Sequence, residues 1–184
     1  MLFSQTLVAM AALVASATAF VVPVGTADGL YMTTYDEAGN TILTTLTERD
    51  VGAGALAALN NTASDGALID SARFVKRKTP NSSCGTKYNL NHGDCDGAYN
   101  SLKSTCNRGF HLDGNAALAA VKGSVVSYMC TYTKSGYDCT SGEVARSADE
   151  VTSLCGWYVS GWWRKPGTDV TYGRQPSGTC YCHC

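Results

Sequence analysis

The first 83 residues of this chain contain no cysteine, whereas residues 84–184 contain all nine. Beyond the N-terminal segment, no stretch approaches the ~20 apolar residues that a membrane-spanning helix needs. We therefore expect no transmembrane segment. Since the cysteines are confined to one part of the chain, we expect two parts with different roles.

The sequence also lacks the common catalytic motifs: it has no G-x-S-x-G, no H-E-x-x-H and no phosphate-binding loop. His111 and Asp113 are two residues apart, a spacing that suits acid–base chemistry but more often makes a loop hydrogen bond. A small secreted ribonuclease could use His111 with Glu143 and Arg146, although the flanking motif of the fungal enzymes is missing. We expect no catalytic residue and no cofactor, with a ribonuclease as the alternative.

The N-terminus has the pattern of a secretory signal peptide. An apolar stretch runs from Leu7 to about Ala15, and Ala17-Thr18-Ala19 is a small-x-small cleavage pattern. The n-region has no Lys or Arg. We predict a signal peptide at residues 1–19, cleaved after Ala19, and a secreted, extracellular product.

A dibasic pair, Lys76-Arg77, precedes the cysteine-rich part and matches the sites cut by kexin-type proteases. Residues 20–77 carry seven acidic and four basic residues, whereas residues 78–184 carry eight acidic and ten basic ones. An acidic, cysteine-free leader before a basic, cysteine-rich body is typical of a propeptide. We predict a propeptide at 20–77 and a toxin or effector domain at 78–184.

The cysteines favour disulfides, because the secretory pathway is oxidising. The candidates are Cys84, Cys95, Cys106, Cys130, Cys139, Cys155, Cys180, Cys182 and Cys184. An odd number leaves one unpaired, for which Cys184 and Cys182 are the candidates, and an exposed thiol would allow a disulfide-linked dimer. Asn60 and Asn81 begin N-glycosylation sequons.

The closing "TCYCHC" could bind zinc or copper(I) through thiolates and imidazole. Strand alternation, however, places the three cysteines on one face and His183 on the other. We predict disulfides here and no metal site.

Periodicity predicts an α+β fold. Helices are expected over residues 93–106, capped by Asp94, and over 140–161, where Thr140 and Glu143 form a capping box and Gly161 ends the helix. Strands are expected near residues 30–34, 41–46, 87–90, 124–132, 168–173 and 178–184, with a return strand after 133–136. Two helices should pack on one face of a small antiparallel sheet.

An aromatic and basic run follows the second predicted helix, in a predicted loop. Exposed residues of these types suit binding to a protein, a glycan or an anionic lipid head group. The predicted binding residues are Trp162, Trp163, Arg164 and Lys165. The alternative is that one Trp belongs to the core and the basic pair is ordinary surface.

Residues 124–184 resemble the C-terminal half of the killer-protein-4-like toxins, first described from smut fungi. The resemblance lies in the strand ending near Tyr132, Cys139 followed by "SG", the helix containing Cys155, "GTDVTYGR" and the terminal cysteine. It implies a disulfide-rich α/β sandwich built from split β-α-β units. It also implies growth inhibition of fungi or plant tissue, linked to calcium channels.

We therefore expect a secreted, kexin-processed fungal toxin or virulence effector that binds a target, such as an ion channel or cell-surface component, without catalysis. Its expected partners are signal peptidase, a kexin-type protease and an extracellular target, with no nucleic acid. The alternatives are a small secreted hydrolase such as a ribonuclease, and a wall-associated structural or protective protein.

Overall fold

The computed structural model describes residues 19–47, 50–51, 81–182 and 184. The predicted signal peptide up to residue 18, the dibasic pair Lys76-Arg77, Asn60 and His183 lie outside the described residues.

The described residues form two helices and eleven strands. The helices are α1 (His92–Asn107) and α2 (Ser141–Cys155). The strands, in chain order, are β1 (Phe20–Val21), β2 (Gly29–Tyr35), β3 (Thr41–Leu46), β4 (Ser82–Asn89), β5 (His111–Leu112), β6 (Ala117–Lys122), β7 (Val125–Thr131), β8 (Tyr137–Asp138), β9 (Val159–Arg164), β10 (Val170–Pro176) and β11 (Cys180–Tyr181).

Seven strands make one antiparallel sheet in the order β3-β2-β6-β7-β10-β9-β4. Two small ribbons, β1–β11 and β5–β8, are also antiparallel. The strands β7 and β9 run in the same direction on either side of β10, and the connection between them contains α2. The expected small α+β fold with an antiparallel sheet and two helices is confirmed.

Both helices pack on the same face of the sheet. Leu102 of α1 and Val151 of α2 share a buried cluster with Leu118, Met129 and Tyr172 of the strands. Side chains alternate along β7: Met129 lies on this helix-covered face, whereas Val126, Tyr128 and Cys130 belong to a second cluster.

The ribbon β1–β11 packs against that second cluster. Phe20 and Val22 are fully buried, and Tyr181 is 1% exposed. They share one cluster with Ala119 and Tyr128 of the sheet. The sheet therefore lies between a helical layer and a short ribbon.

Two local predictions are wrong, and each error has a structural reason. Asn91, not Asp94, caps α1, and its side chain accepts a hydrogen bond from the Asp94 amide at 3.0 Å. The second helix ends at Cys155, not at Gly161, because Gly156 takes a φ of 101° that favours glycine. Tyr158 is thus outside the helix.

The order of strands also differs from the expected one. The run after residues 133–136 does not return along β7: Leu112 pairs with Tyr137 in the β5–β8 ribbon. The two neighbours of β7 are instead β10 and β6, and β6 had not been predicted. Its alanine-rich sequence has weak β-propensity, and packing on both faces of the sheet stabilises it as a strand.

Four disulfides and one free cysteine account for the nine cysteines. The pairs are Cys84–Cys155, Cys106–Cys139, Cys130–Cys182 and Cys180–Cys184. The prediction that Cys182 or Cys184 is unpaired is wrong, since the free thiol is Cys95. Cys95 lies in α1 and is 3% exposed, so the odd cysteine offers no accessible thiol for a dimer.

Candidate functional site

The predicted binding residues do not lie in a loop. Trp162, Trp163 and Arg164 belong to β9, an inner strand between β10 and β4, and Lys165 follows it directly. Strands β10 and β4 pair with the two edges of β9, so the aromatic run that was predicted to be a loop is part of a strand. The loop prediction is therefore wrong.

Strand alternation also separates the four residues. Trp163 is 4% exposed and belongs to the core beneath the helices. Trp162 packs against the opposite cluster, and the Arg164 guanidinium lies 5.7 Å from the centre of the Tyr132 ring. The structure does not bring the four together on one surface.

On the helix-covered face, Lys165 joins a polar cluster around Glu143, in the first turn of α2. The hydroxyl of Tyr137 donates to Glu143 Oε1 at 2.9 Å, and that of Tyr172 donates to Oε2 at 2.6 Å. Lys165 Nζ donates to Glu143 Oε1 and to the Tyr137 hydroxyl. We call Glu143, Lys165, Tyr137 and Tyr172 the Glu143 cluster.

The cluster keeps Glu143 ionised. Burial acts to raise the pKa of this carboxyl, but the donors Lys165, Tyr172 and Tyr137 outweigh it, so the pKa is below its usual value. The bond to Glu143 raises the pKa of Lys165, and burial together with the same carboxylate raises that of Tyr172. A carboxylate held by three donors is suited to joining α2 to the sheet, not to accepting a proton from a substrate.

Beside the cluster is a surface depression with two cations at its rim. Arg146 lies 5.6 Å from the centre of the Trp163 ring, and its Nε is 3.7 Å from Glu150. The depression is lined by Thr140, Gly142, Glu143, Arg146, Trp163, Lys165 and Pro166. Within the described residues, Trp163 and Lys165 are thus the predicted binding residues that line a common depression.

His111 has a carboxylate partner, but not the predicted one. Its Nδ1 lies 2.7 Å from Asp138 Oδ1, across the β5–β8 ribbon, and not against Asp113. The neighbour of Asp138 in that ribbon, Tyr137, binds Glu143. Strand β8 therefore carries both Asp138, the partner of His111, and Tyr137, a donor to Glu143.

A second surface lies just after α2, and the sequence prediction missed it. Trp157 is 77% exposed and Leu154 is 55% exposed, both unusual for such large apolar side chains. The Trp157 and Tyr158 rings are 6.2 Å apart, and Tyr158 stacks on His92 at 3.7 Å. We call Leu154, Trp157, Tyr158 and His92 the aromatic patch.

The backbone of the aromatic patch is strained. Tyr158 has a φ of 57°, a value that residues with a bulky side chain rarely adopt. Its hydroxyl lies 3.4 Å from Asp96 of α1, and its carbonyl accepts a hydrogen bond from the Leu90 amide at 2.7 Å. These contacts tie Tyr158, the neighbour of the exposed Trp157, to α1 and to Leu90 just before it. The "CGWY" sequence could have indicated this surface, had the helix been ended at Gly156.

The closing cysteines are disulfide-bonded, so they provide no thiolate ligands. Within the described ranges, no three His, Cys, Asp or Glu side chains cluster as a metal site requires.

Asn81 is exposed just before β4, as a glycosylation acceptor must be, and the modification stays a prediction. Among the described residues, no helix is long and apolar enough to cross a membrane.

Comparison with known proteins does not assign this site. No protein-family model matches the chain, and neither a curated protein nor a solved structure does.

Proposed function

We propose that this chain is a secreted, disulfide-stabilised toxin or effector that acts by binding a target, not by catalysis. Four disulfides in the cysteine-rich part support an extracellular protein, since such bonds persist in oxidising compartments. The killer-protein-4-like family remains our proposed relationship. The arrangement of α2 between the parallel strands β7 and β9 supports its split β-α-β unit.

The exposed Trp157 is the observation that carries the binding proposal. Leaving an indole 77% in water costs hydrophobic free energy, and tryptophan is the residue most enriched among energetically dominant contacts at interfaces. Leu154 extends the apolar surface, and the His92–Tyr158 stack supports it from α1. An exposed aromatic side chain of this kind suits a protein or glycan target.

The test compares Trp157→Ala with Val24→Ala, because both positions are 77% exposed. Both variants should fold and melt like the parent protein. We expect Trp157→Ala to weaken growth inhibition of fungal or plant cultures, and binding of labelled protein to protoplasts, by about tenfold or more. Val24→Ala should change neither.

Equal activity of the two variants would remove the aromatic patch from the proposal. Assays on protoplasts also distinguish the toxin hypothesis from the hypothesis of a wall-associated protein. A wall protein would bind isolated walls, lose binding when the wall is removed, and inhibit no growth.

A ribonuclease is the second candidate, because His111 and Asp138 form a partly exposed pair at 2.7 Å. RNA cleavage by the purified protein that disappears in His111→Ala would favour it. Intact RNA after incubation with the parent protein would reject it.

A further inference from the structure

The segment before the dibasic pair is part of the fold. Residues 20–46 contribute β1, β2 and β3, and thus one edge of the large sheet and half of the covering ribbon. The side chains of Phe20, Val22 and Thr33 are completely buried, and Met32 and Val51 are each 4% exposed. Met32 and Val51 belong to the cluster beneath the helices, and Phe20 and Val22 belong to the cluster beneath the ribbon. The Thr33 hydroxyl bonds to Tyr181 of that second cluster.

Main-chain pairing joins this segment to the cysteine-rich part at two places. Residues 29–33 of β2 pair with residues 117–121 of β6. In the ribbon, Phe20 pairs with Tyr181, and the Gly178 amide donates to the Val22 carbonyl at 2.7 Å. The amide of Phe20 also donates to the Cys182 carbonyl at 3.4 Å, and an amino group formed by cleavage after Ala19 could donate in the same way.

Polar side chains reinforce the same contact. The Thr33 and Tyr181 hydroxyls are 2.9 Å apart in a buried hydrogen bond. At the surface, Asp28 accepts from Lys122 Nζ at 2.6 Å and from the Gly123 amide at 2.7 Å. Loss of the segment would remove this hydrogen bond and expose the apolar ring of Tyr181, which packs against Phe20 with a centroid separation of 6.3 Å.

Loss of the segment would also expose β6. Five successive β6 residues, from Ala117 to Val121, are at most 2% exposed. Without β2 this apolar strand would become an open sheet edge with unpaired N–H and C=O groups, which is a template for aggregation. A discarded propeptide would therefore leave an unstable remainder.

We propose that cleavage after Arg77 yields a two-chain protein in which residues 20–77 stay bound as a permanent second subunit. Hydrolysis of the Arg77–Lys78 peptide bond by a kexin-type protease consumes one water and leaves a carboxylate and an amine. Because no cysteine precedes residue 84, no disulfide joins the products, and the strand pairs and buried side chains alone hold them. The occurrence of this species in secretion rests on the proposed secreted function and on the kexin-type processing predicted from the sequence.

The experiment tests the two-chain assembly independently of whether the natural site is cleaved. Full chain beginning at Phe20 is produced in two forms: the natural sequence, cut with a kexin-type protease, and a form with a site-specific protease sequence in place of residues 74–79. After either cut, we expect two bands on a denaturing gel without reductant and one species containing both chains by native mass spectrometry. Separation of the chains under native conditions would overturn the proposal. Resistance of the natural sequence alone to the kexin-type protease would instead reject the processing step.

A matched pair of variants tests the contact itself. Thr33→Val keeps the shape of the side chain but removes its hydrogen bond to Tyr181, whereas Thr45→Val changes an exposed threonine of β3 in the same chain. In the cut protein, Thr33→Val should raise the Kd between the two chains about fivefold, and Thr45→Val should not. Equal Kd values would contradict the assigned interface.

Discussion

At the scale of single residues, the Glu143 carboxylate accepts hydrogen bonds from three side chains. Its two oxygens accept from Tyr137, Tyr172 and Lys165, which come from β8, β10 and the end of β9. The lowered pKa of this carboxyl means that the folded state favours its ionised form. It therefore contributes stability above its unfolded pKa of about 4.3, which is lost as the pH falls through the lower folded pKa.

Replacing Glu143 by Gln should lower the free energy of unfolding by about 1–3 kcal/mol at pH 7, because Lys165 loses its charged partner. The difference between variant and parent should shrink as the pH falls below about 4, where the parent carboxylate is also protonated. Urea unfolding at several pH values measures both effects. Glu150→Gln, at an exposed ion pair with Arg146, is the control and should cost at most about 0.5 kcal/mol. If the difference in the free energy of unfolding between the Glu143→Gln variant and the parent did not depend on pH, this would contradict an ionised Glu143.

Cys95 illustrates a different consequence of burial. Burial raises the pKa of its thiol, with Arg174 opposing the rise and Asp96 adding to it. Both the inaccessibility and the protonated state make the native thiol slow to react.

We expect native protein to react with iodoacetamide at least about 100-fold more slowly than protein in denaturant without reductant. In denaturant one thiol per chain should be labelled, and peptide mapping should place it at Cys95. Label on Cys182 or Cys184, or a disulfide-linked dimer on a non-reducing gel, would contradict the pairing described above.

At the scale of elements, the approach of α2 to β9 depends on one glycine. A Cβ at Gly161 would lie 2.9 Å from the Ser83 carbonyl oxygen, 3.0 Å from Val151 Cγ1 and 3.1 Å from Cys155 Sγ. This position lies under the helix, beside the Cys84–Cys155 disulfide and the ladder between β4 and β9. A side chain there would force the two layers apart.

Gly161→Ala should therefore lower the free energy of unfolding by about 1–3 kcal/mol through overpacking. Gly142→Ala is the matched control, because it lies exposed in the first turn of α2 with no atom nearer than 4.0 Å to an added Cβ. Alanine should leave stability there unchanged or raise it by up to about 1 kcal/mol, since glycine is the poorer helix former. Denaturant unfolding of the two variants measures both changes in the free energy of unfolding. Equal changes would contradict close packing at Gly161.

At the scale of the whole molecule, covalent and non-covalent connections are distributed unequally. The four disulfides all join residues of the cysteine-rich part, and Cys130–Cys182 ties the end of the chain to the middle of the sheet. The described residues of the preceding segment, 20–47 and 50–51, are attached by strand pairing, packing and side-chain hydrogen bonds, without a disulfide. When the chain is cut between these two parts, unfolding also separates two chains, whereas unfolding of the uncut chain involves one molecule.

A further readout of the two-chain assembly follows from mass action. Unfolding of the cut protein releases two chains, so its Tm should rise with protein concentration, whereas the Tm of the uncut chain should not. Calorimetry over a hundredfold range of concentration measures this difference. A constant Tm for both forms would contradict a reversible two-chain assembly.

Much of the fold was predictable because its signals are local. The hairpin of β2 and β3, the Thr140 cap of α2 and the alternation along β7 each follow from a few neighbouring residues. The sites were less predictable. The Trp162–Lys165 run has the composition of an exposed binding loop, and only its position between β10 and β4 makes it strand.

The sequence by itself determined the disulfide-rich character, the antiparallel α+β class and the division between a cysteine-free and a cysteine-rich part, because composition and short-range periodicity carry these properties. Only the tertiary structure decided that Cys95 is the unpaired cysteine, that Trp157 is exposed while Trp163 is buried, and that residues 20–51 complete the sheet. Each of these depends on which distant strands become neighbours, and that choice is made by burial over the whole chain, not by any local pattern.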